Sequence, residues 1–210
     1  MSARLPFSIS GGLRDVNFEM TVIEQAVSIL HHDGIVIYPT DTIYGLGGDA
    51  FSEEAILKVY ESKKRPLSNP ISIAVCDNDM IQGVARIDEY AFLFIDQFLP
   101  GPVTVVLPAR NCVPEMLTGG TGMIGIRYPD HPLALELIAR FDSPITATSA
   151  NITGGKDPVT PKECHVPHDF LIDAGRLPGT PSTVVDLISR RIIRKGALAE
   201  RVAAFFASDL

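Results

Sequence analysis

Short apolar runs of four to six residues recur along the chain, and the stretches between several of them carry hydrophobic residues at helical spacing. The runs are "IVIY" (35–38), "ISIAV" (71–75), "VTVVL" (103–107), "MIGIRY" (123–128), "ITAT" (145–148), "STVVDL" (182–187) and "RIIR" (191–194). Each is short for a helix; "IVIY" reads as a buried strand and the others as further strands. Residues 19–31 place Val22, Ile23, Ala26, Val27 and Leu30 on one face of a predicted helix. Ser52 is a good N-cap, Glu53 and Glu54 suit the first turn that follows, and Pro66 ends that helix near Lys63. Further helices are predicted from Ile87 to Phe98, from a cap at Asp130 through Arg140, and from Ala199 to Ala207. Interleaved strands and helices define the α/β class. The late runs have little helix between them, so the expected sheet is open, twisted and mixed, with helices flanking it.

A chain of 210 residues buries enough surface to need no staples. Residues 1–18 read as an N-terminal extension and 19–210 as a single domain. The formal charge of −7 argues against a surface that coats nucleic acid, while leaving room for a local basic pocket. Cys76, Cys112 and Cys164 are odd in number and widely spaced, which suits a reduced compartment. "MSARLPFSIS" lacks the apolar core of a secretory signal, and no run approaches the ~18 apolar residues of a membrane helix. The expected location is cytoplasmic, with no membrane partner.

Within this acidic chain, "SKKRPLSNP" (62–70) crowds Lys63, Lys64 and Arg65 together. Taken alone, cations at a helix C-terminus read as a solvated helix end. The alternative is an anion clamp, since Arg65 offers a planar fork, Lys63 a point charge and Asn69 an amide. "PTDTIYGLGGDA" (39–50) contains Gly45-x-Gly47-x-x-Ala50, but six residues separate Gly45 from the preceding run. That gap, and the lack of an acidic residue ending a strand ~20 positions on, argue against a dinucleotide fingerprint. The glycines then read as a turn. Thr40, Asp41, Thr42 and Tyr44 nevertheless leave the carboxyl end of a strand, the usual ligand edge of an open α/β sheet.

Two further loops carry small hydroxyls. "TATSANITGG" (146–155) holds Thr146, Thr148, Ser149 and Asn151 before paired glycines, a composition that exposes backbone N–H groups to phosphate or forms an ordinary turn. "GTPSTVVDL" (179–187) puts Ser182 at a strand start, and Arg127 and Arg194 end other strands. "ECHVPHD" (163–169) offers Cys164, His165 and His168, but adjacent Cys-His is awkward geometry and a fourth ligand is lacking, so no protein metal site is expected. No G-x-S-x-G elbow occurs.

Taken in order, "PTDTIYGLGGDA", "SKKRPLSNPI", "GPVTVVL", "IGIRYPDHPLALELI", "ATSANITGG", "STVVDL" and "IIRKGAL" resemble the threonylcarbamoyl-AMP synthase family with its YrdC-like domain, over roughly residues 20 to 200. Its paired motif, K-x-R with a distant S-x-N, appears as Lys63-x-Arg65 and Ser149-x-Asn151. The resemblance implies a cationic concave cavity in a single-domain member, without the second domain of longer relatives. It implies that L-threonine, bicarbonate and ATP give L-threonylcarbamoyl-AMP and pyrophosphate, with Mg²⁺ assisting. A downstream transferase complex would then modify adenosine 37 of tRNA, which this chain would meet indirectly or weakly. Lys63, Arg65, Asn69, Ser149, Asn151 and Arg194 would hold ATP phosphates and adenylate, with Lys63, Arg65, Ser149 and Asn151 carrying the catalysis. Thr42, Arg127 and Ser182 would hold threonine. The chain departs from many relatives at Ala74, Met123 and Asp157, where histidine, threonine and serine are common. Two alternatives accompany this reading: a relative adenylating another carbamoyl acid, as hydrogenase-maturation carbamoyltransferases do, and a double-stranded-RNA or tRNA-binding module, which the net charge disfavours.

Overall fold

Among the described residues of the computed structural model, 22–208, the apolar runs become strands of one sheet. The expected extension (1–18) and the first residues of the predicted helix 19–31 lie outside that range. The strands are β1 (Val36–Tyr38), β2 (Gly45–Gly47), β3 (Ser72–Ala74), β4 (Val103–Pro108), β5 (Met123–Arg127), β6 (Ile145–Ser149), β7 (Phe170–Leu171), β8 (Thr183–Asp186) and β9 (Arg191–Arg194). Their order in space is β7-β1-β2-β6-β3-β5-β4-β8-β9. The sheet is mixed, as expected: β1 with β7, β3 with β5 and β4 with β8 run parallel, and the other neighbours antiparallel.

Strand alternation sorts the core onto two faces. On one face, helix α1 (22–30) and helix α6 (Pro132–Phe141) bury Ile23, Ala26, Leu30, Leu137, Ile138 and Phe141 against Val36, Tyr38, Ala74 and Ile145. On the other, Ile37, Ile73, Val103, Val105 and Ile126 meet α2 (Glu53–Ser62), α3 (Asn78–Val84), α4 (Glu89–Phe98) and α7 (Ala199–Ser208). The short helix α5 (Glu115–Thr118) adds Leu117 to that layer. Side chains behave as local rules require: Ser52 accepts from the Ala55 N–H at the start of α2, and Asp88 from the Ala91 N–H at α4.

Two local expectations are corrected, and one helix is added. Gly45–Gly47 is a strand, not a turn, and neither glycine has positive φ. A Cβ on Gly45 would lie 2.9 Å from the Tyr38 ring, and one on Gly47 3.0 Å from that ring and from Ile145. Glycine is there because an aromatic side chain covers the strand. Helix α6 is capped by His131 rather than Asp130, with Pro132 in its first turn where the missing N–H costs nothing. Helix α3, opened by Asp77 accepting from the Met80 N–H, falls in a stretch where the sequence reading placed no element.

Candidate active site

Helices α1 and α6 cover only part of their face of the sheet. Beyond them the strands continue bare, and period-two alternation aims a row of side chains into the gap. Registered neighbours run from Arg127 on β5, next to the covered Ala74 of β3, through Thr104 on β4 and Val184 on β8 to Arg194 on β9. Ser72 stands on the same face, two residues before Ala74, with space left by Gly125, where a Cβ would collide with the Ser72 Oγ. The result is a cavity of about 270 Å³ whose lining includes Thr42, Arg65, Thr104, Arg127, Ser149, Ser182 and Arg194. Stretches more than 150 residues apart in sequence therefore meet at one place.

Each cation is held before any ligand arrives. Arg127 is buried, donates Nη1 to the carbonyls of Gly101, Val103 and Tyr128, and pairs Nη2 with Asp41. Asp41 keeps its other oxygen, Oδ2, buried and without a hydrogen bond among the described residues. Arg194 donates Nη2 to the carbonyl (2.9 Å) and hydroxyl (3.1 Å) of Ser182, whose hydroxyl lies 2.8 Å from that of Thr104. Arg65 donates Nε to the Asn69 carbonyl (3.1 Å) and Nη2 to that of Pro70 (2.6 Å), which leaves Nη1 for the cavity. At the end of β1, Thr40 donates to the Ile43 carbonyl and accepts from the Thr42 N–H, forming a turn that holds the Thr42 hydroxyl at 2.9 Å.

Six of the nine residues given site roles from the sequence thus line one cavity: Thr42, Arg65, Arg127, Ser149, Ser182 and Arg194. Three do not. Lys63 is 1% exposed and lies behind the lining, so the solvated helix end is not what this position holds. Burial, with Arg65 nearby, pushes its amine down to about 8, against the pull of Asp157. Asn151 is buried beside it, and Asn69 is exposed, contributing its carbonyl to Arg65. Thr146 is also spent on the fold: its hydroxyl donates to Leu46 and accepts from the Gly48 N–H. Nor do Ala74, Met123 or Asp157 line the cavity.

Sequence reasoning missed Tyr38, Ser72 and Thr104 in the lining. A signal existed for two of them. A single hydroxyl inside an otherwise apolar run, as in "ISIAV" and "VTVVL", faces away from its neighbours and toward whatever that face contains.

A family model for Sua5/YciO/YrdC proteins, described as "Telomere recombination", matches residues 28–196, and the chain belongs to that family. It is 38% identical over 173 residues to the threonylcarbamoyl-AMP synthase of Pyrococcus abyssi, covering 79% of this chain and 50% of that protein. With the threonylcarbamoyl-AMP synthase of Bacillus subtilis it shares 39% identity over 172 residues, 78% of this chain and 49% of the relative. The chain thus spans about half the length of these curated relatives. Among solved structures, P. abyssi Sua5 complexed with L-threonine superposes with a TM-score of 0.82 at 34% identity, over 88% of this chain and 57% of that one.

Proposed function

We propose that the cavity joins L-threonine, bicarbonate and ATP into L-threonylcarbamoyl-AMP, releasing pyrophosphate and water. The observation that carries this reading is the convergence of Arg65, Arg127 and Arg194 with the Ser149, Ser182 and Thr42 hydroxyls on one cavity of an otherwise acidic chain. Two anions must meet there. The threonine amine and bicarbonate lose water to give an N-carboxylate, and one of its oxygens attacks the α-phosphorus as the bond to pyrophosphate breaks. No covalent enzyme intermediate is needed, so the chain's contribution is positioning and charge stabilisation. Arg65, Ser149 and Arg194 are assigned to the nucleotide, and Arg127, Ser182 and Thr42 to threonine. The complex of the P. abyssi relative with L-threonine supports the amino-acid half of this assignment.

Magnesium would enter with ATP. The lining contains no carboxylate, and among the described residues no three His, Cys, Asp or Glu side chains cluster as a metal site. The chain thus offers the ion no cage of its own, and phosphate oxygens and water would complete its coordination. No step is assigned to it. A downstream transferase would carry the activated group to tRNA, and a cytoplasmic location suits that role. Among the described residues no helix is long and apolar enough to cross a membrane.

The decisive experiment measures pyrophosphate release from ATP with bicarbonate and each of a panel of amino acids. Release that depends on L-threonine and bicarbonate is expected. Release with another carbamoyl donor alone would move the reaction to the related carbamoyl-adenylate chemistry, and salt-sensitive RNA affinity without any release would leave a binding module.

A further inference from the structure

The four residues of the paired motif divide into two kinds. Arg65 and Ser149 face the cavity, whereas Lys63 and Asn151 stand behind it. The Lys63 ammonium donates to the main-chain carbonyls of Ser149 and Asn151, the latter at 2.8 Å, and to Asn151 Oδ1 at 3.2 Å. An ammonium has three N–H donors, so none is left for a phosphate. The Asn151 amide is equally committed. Its Oδ1 accepts from Lys63 and from the Ser149 hydroxyl (2.6 Å), and its Nδ2 donates to Gly155 (2.7 Å) and Lys156 (3.2 Å) carbonyls. The Lys63 carbonyl completes the tie by accepting from the Thr153 N–H (3.0 Å) and hydroxyl (3.1 Å).

Backbone geometry explains why two cations in a K-x-R spacing do different work. Lys64 between them adopts a left-handed conformation, φ 50°, after the end of α2. The chain therefore reverses, with Lys63 directed into the protein, exposed Lys64 in solvent and Arg65 on the cavity. A buried charge persists only where several acceptors replace its water, and here the acceptors belong to the loop that carries Ser149.

We infer that Lys63 and Asn151 are positioning residues: together they brace the 149–156 turn so that the Ser149 hydroxyl is held on the cavity with Arg65, and neither touches the phosphates. This rests on the nucleotide reading given above. A phosphate clamp at Lys63 would need its charge, whereas a brace needs only donors to the loop carbonyls.

The test compares wild type with Lys63→Met, Lys63→Gln, Ser149→Ala and the Lys63→Met/Ser149→Ala double variant, titrated with ATP. Hydrogen exchange is followed across 149–156 without ligand. A brace predicts that Lys63→Met weakens ATP binding about tenfold or more, while the neutral donor in Lys63→Gln restores most of it. It also predicts faster exchange at 149–156 in Lys63→Met, and a double variant no weaker than the poorer single one. Equal losses in the Met and Gln variants with unchanged exchange, or losses that multiply in the double variant, would overturn it. If Lys63→Met does not fold, Lys63→Gln decides alone: retained affinity supports the brace, and lost affinity with unchanged exchange refutes it. Should wild type itself fail to bind ATP, the nucleotide reading falls separately, and the exchange measurement still judges the brace.

Discussion

Arg65 and Gly125 bear on the cavity in opposite ways, one by what it offers and the other by what it omits. Two of the Arg65 donors are tied to the Asn69 and Pro70 carbonyls, so its guanidinium waits in place with Nη1 unspent. A charge fixed before the substrate arrives loses nothing to reorganisation as negative charge builds at phosphorus. Arg65→Ala should therefore lower steady-state pyrophosphate release about tenfold or more, with the fold intact by circular dichroism. Near-normal turnover would remove Arg65 from the site. Gly125 contributes space. A methyl group there would collide with the Ser72 Oγ and lie 3.1 Å from its Cβ and 3.5 Å from Thr104 Cγ2, all on the cavity face. Backbone strain is not the issue, because Gly125 is not among the positive-φ residues. Gly125→Ala should thus raise the KM for substrate severalfold by crowding the cavity floor, with the melting temperature shifting little. A normal KM would show that ligand does not reach this floor.

At the scale of elements, strand β2 shows how a tertiary neighbour can decide what local composition leaves open. "GLG" has poor strand propensity, yet it pairs with β1 on one side and β6 on the other because Tyr38 and Ile145 fill the volume that side chains would take. Gly47→Ala should destabilise the protein by about 1–3 kcal/mol, the usual range for overpacking, as read by urea denaturation. An unchanged midpoint would mean that Tyr38 moves freely. The same contrast explains what was legible in the sequence. "IVIY" and "VTVVL" announced strands because their apolar side chains state their burial directly, whereas "RIIR" forms the mostly exposed edge strand β9. β2 and the two-residue β7 did not, since their pairing depends on partners far along the chain. For the site, residue type and strand position put Arg127, Ser182 and Arg194 at strand ends, and the family resemblance gathered them into one site. Spacing alone could not say which member of Lys63-x-Arg65 faces the cavity, because that depends on the left-handed turn at Lys64. Thr104 and Ser72 were legible in principle as lone hydroxyls on apolar strands.

For the whole molecule, the surface carries net negative charge while the concave face gathers arginines, so attraction for an anionic substrate is confined to short range by screening of about 8 Å at physiological salt. The protein accepts a cost for placing one further cation, Lys63, inside this frame. Its amine is held down to about 8, from an ordinary 10.5, because burial and Arg65 disfavour the charged form. Between those two values the unfolded chain binds a proton that the folded protein does not, so the contribution of Lys63 to stability rises with pH across that window. Below about 8 both states are protonated and the full penalty of burying the charge applies. Above 10.5 the amine is neutral in both, and the penalty is gone. Comparison with Lys63→Gln isolates this effect from every other titrating group. The stability of wild type relative to that variant, measured by urea denaturation between pH 7 and 10.5, should shift in favour of wild type as pH rises. A difference that stays flat would show that Lys63 reaches water in the folded protein, and would separate the 149–156 turn from the helix end that the structure ties to it.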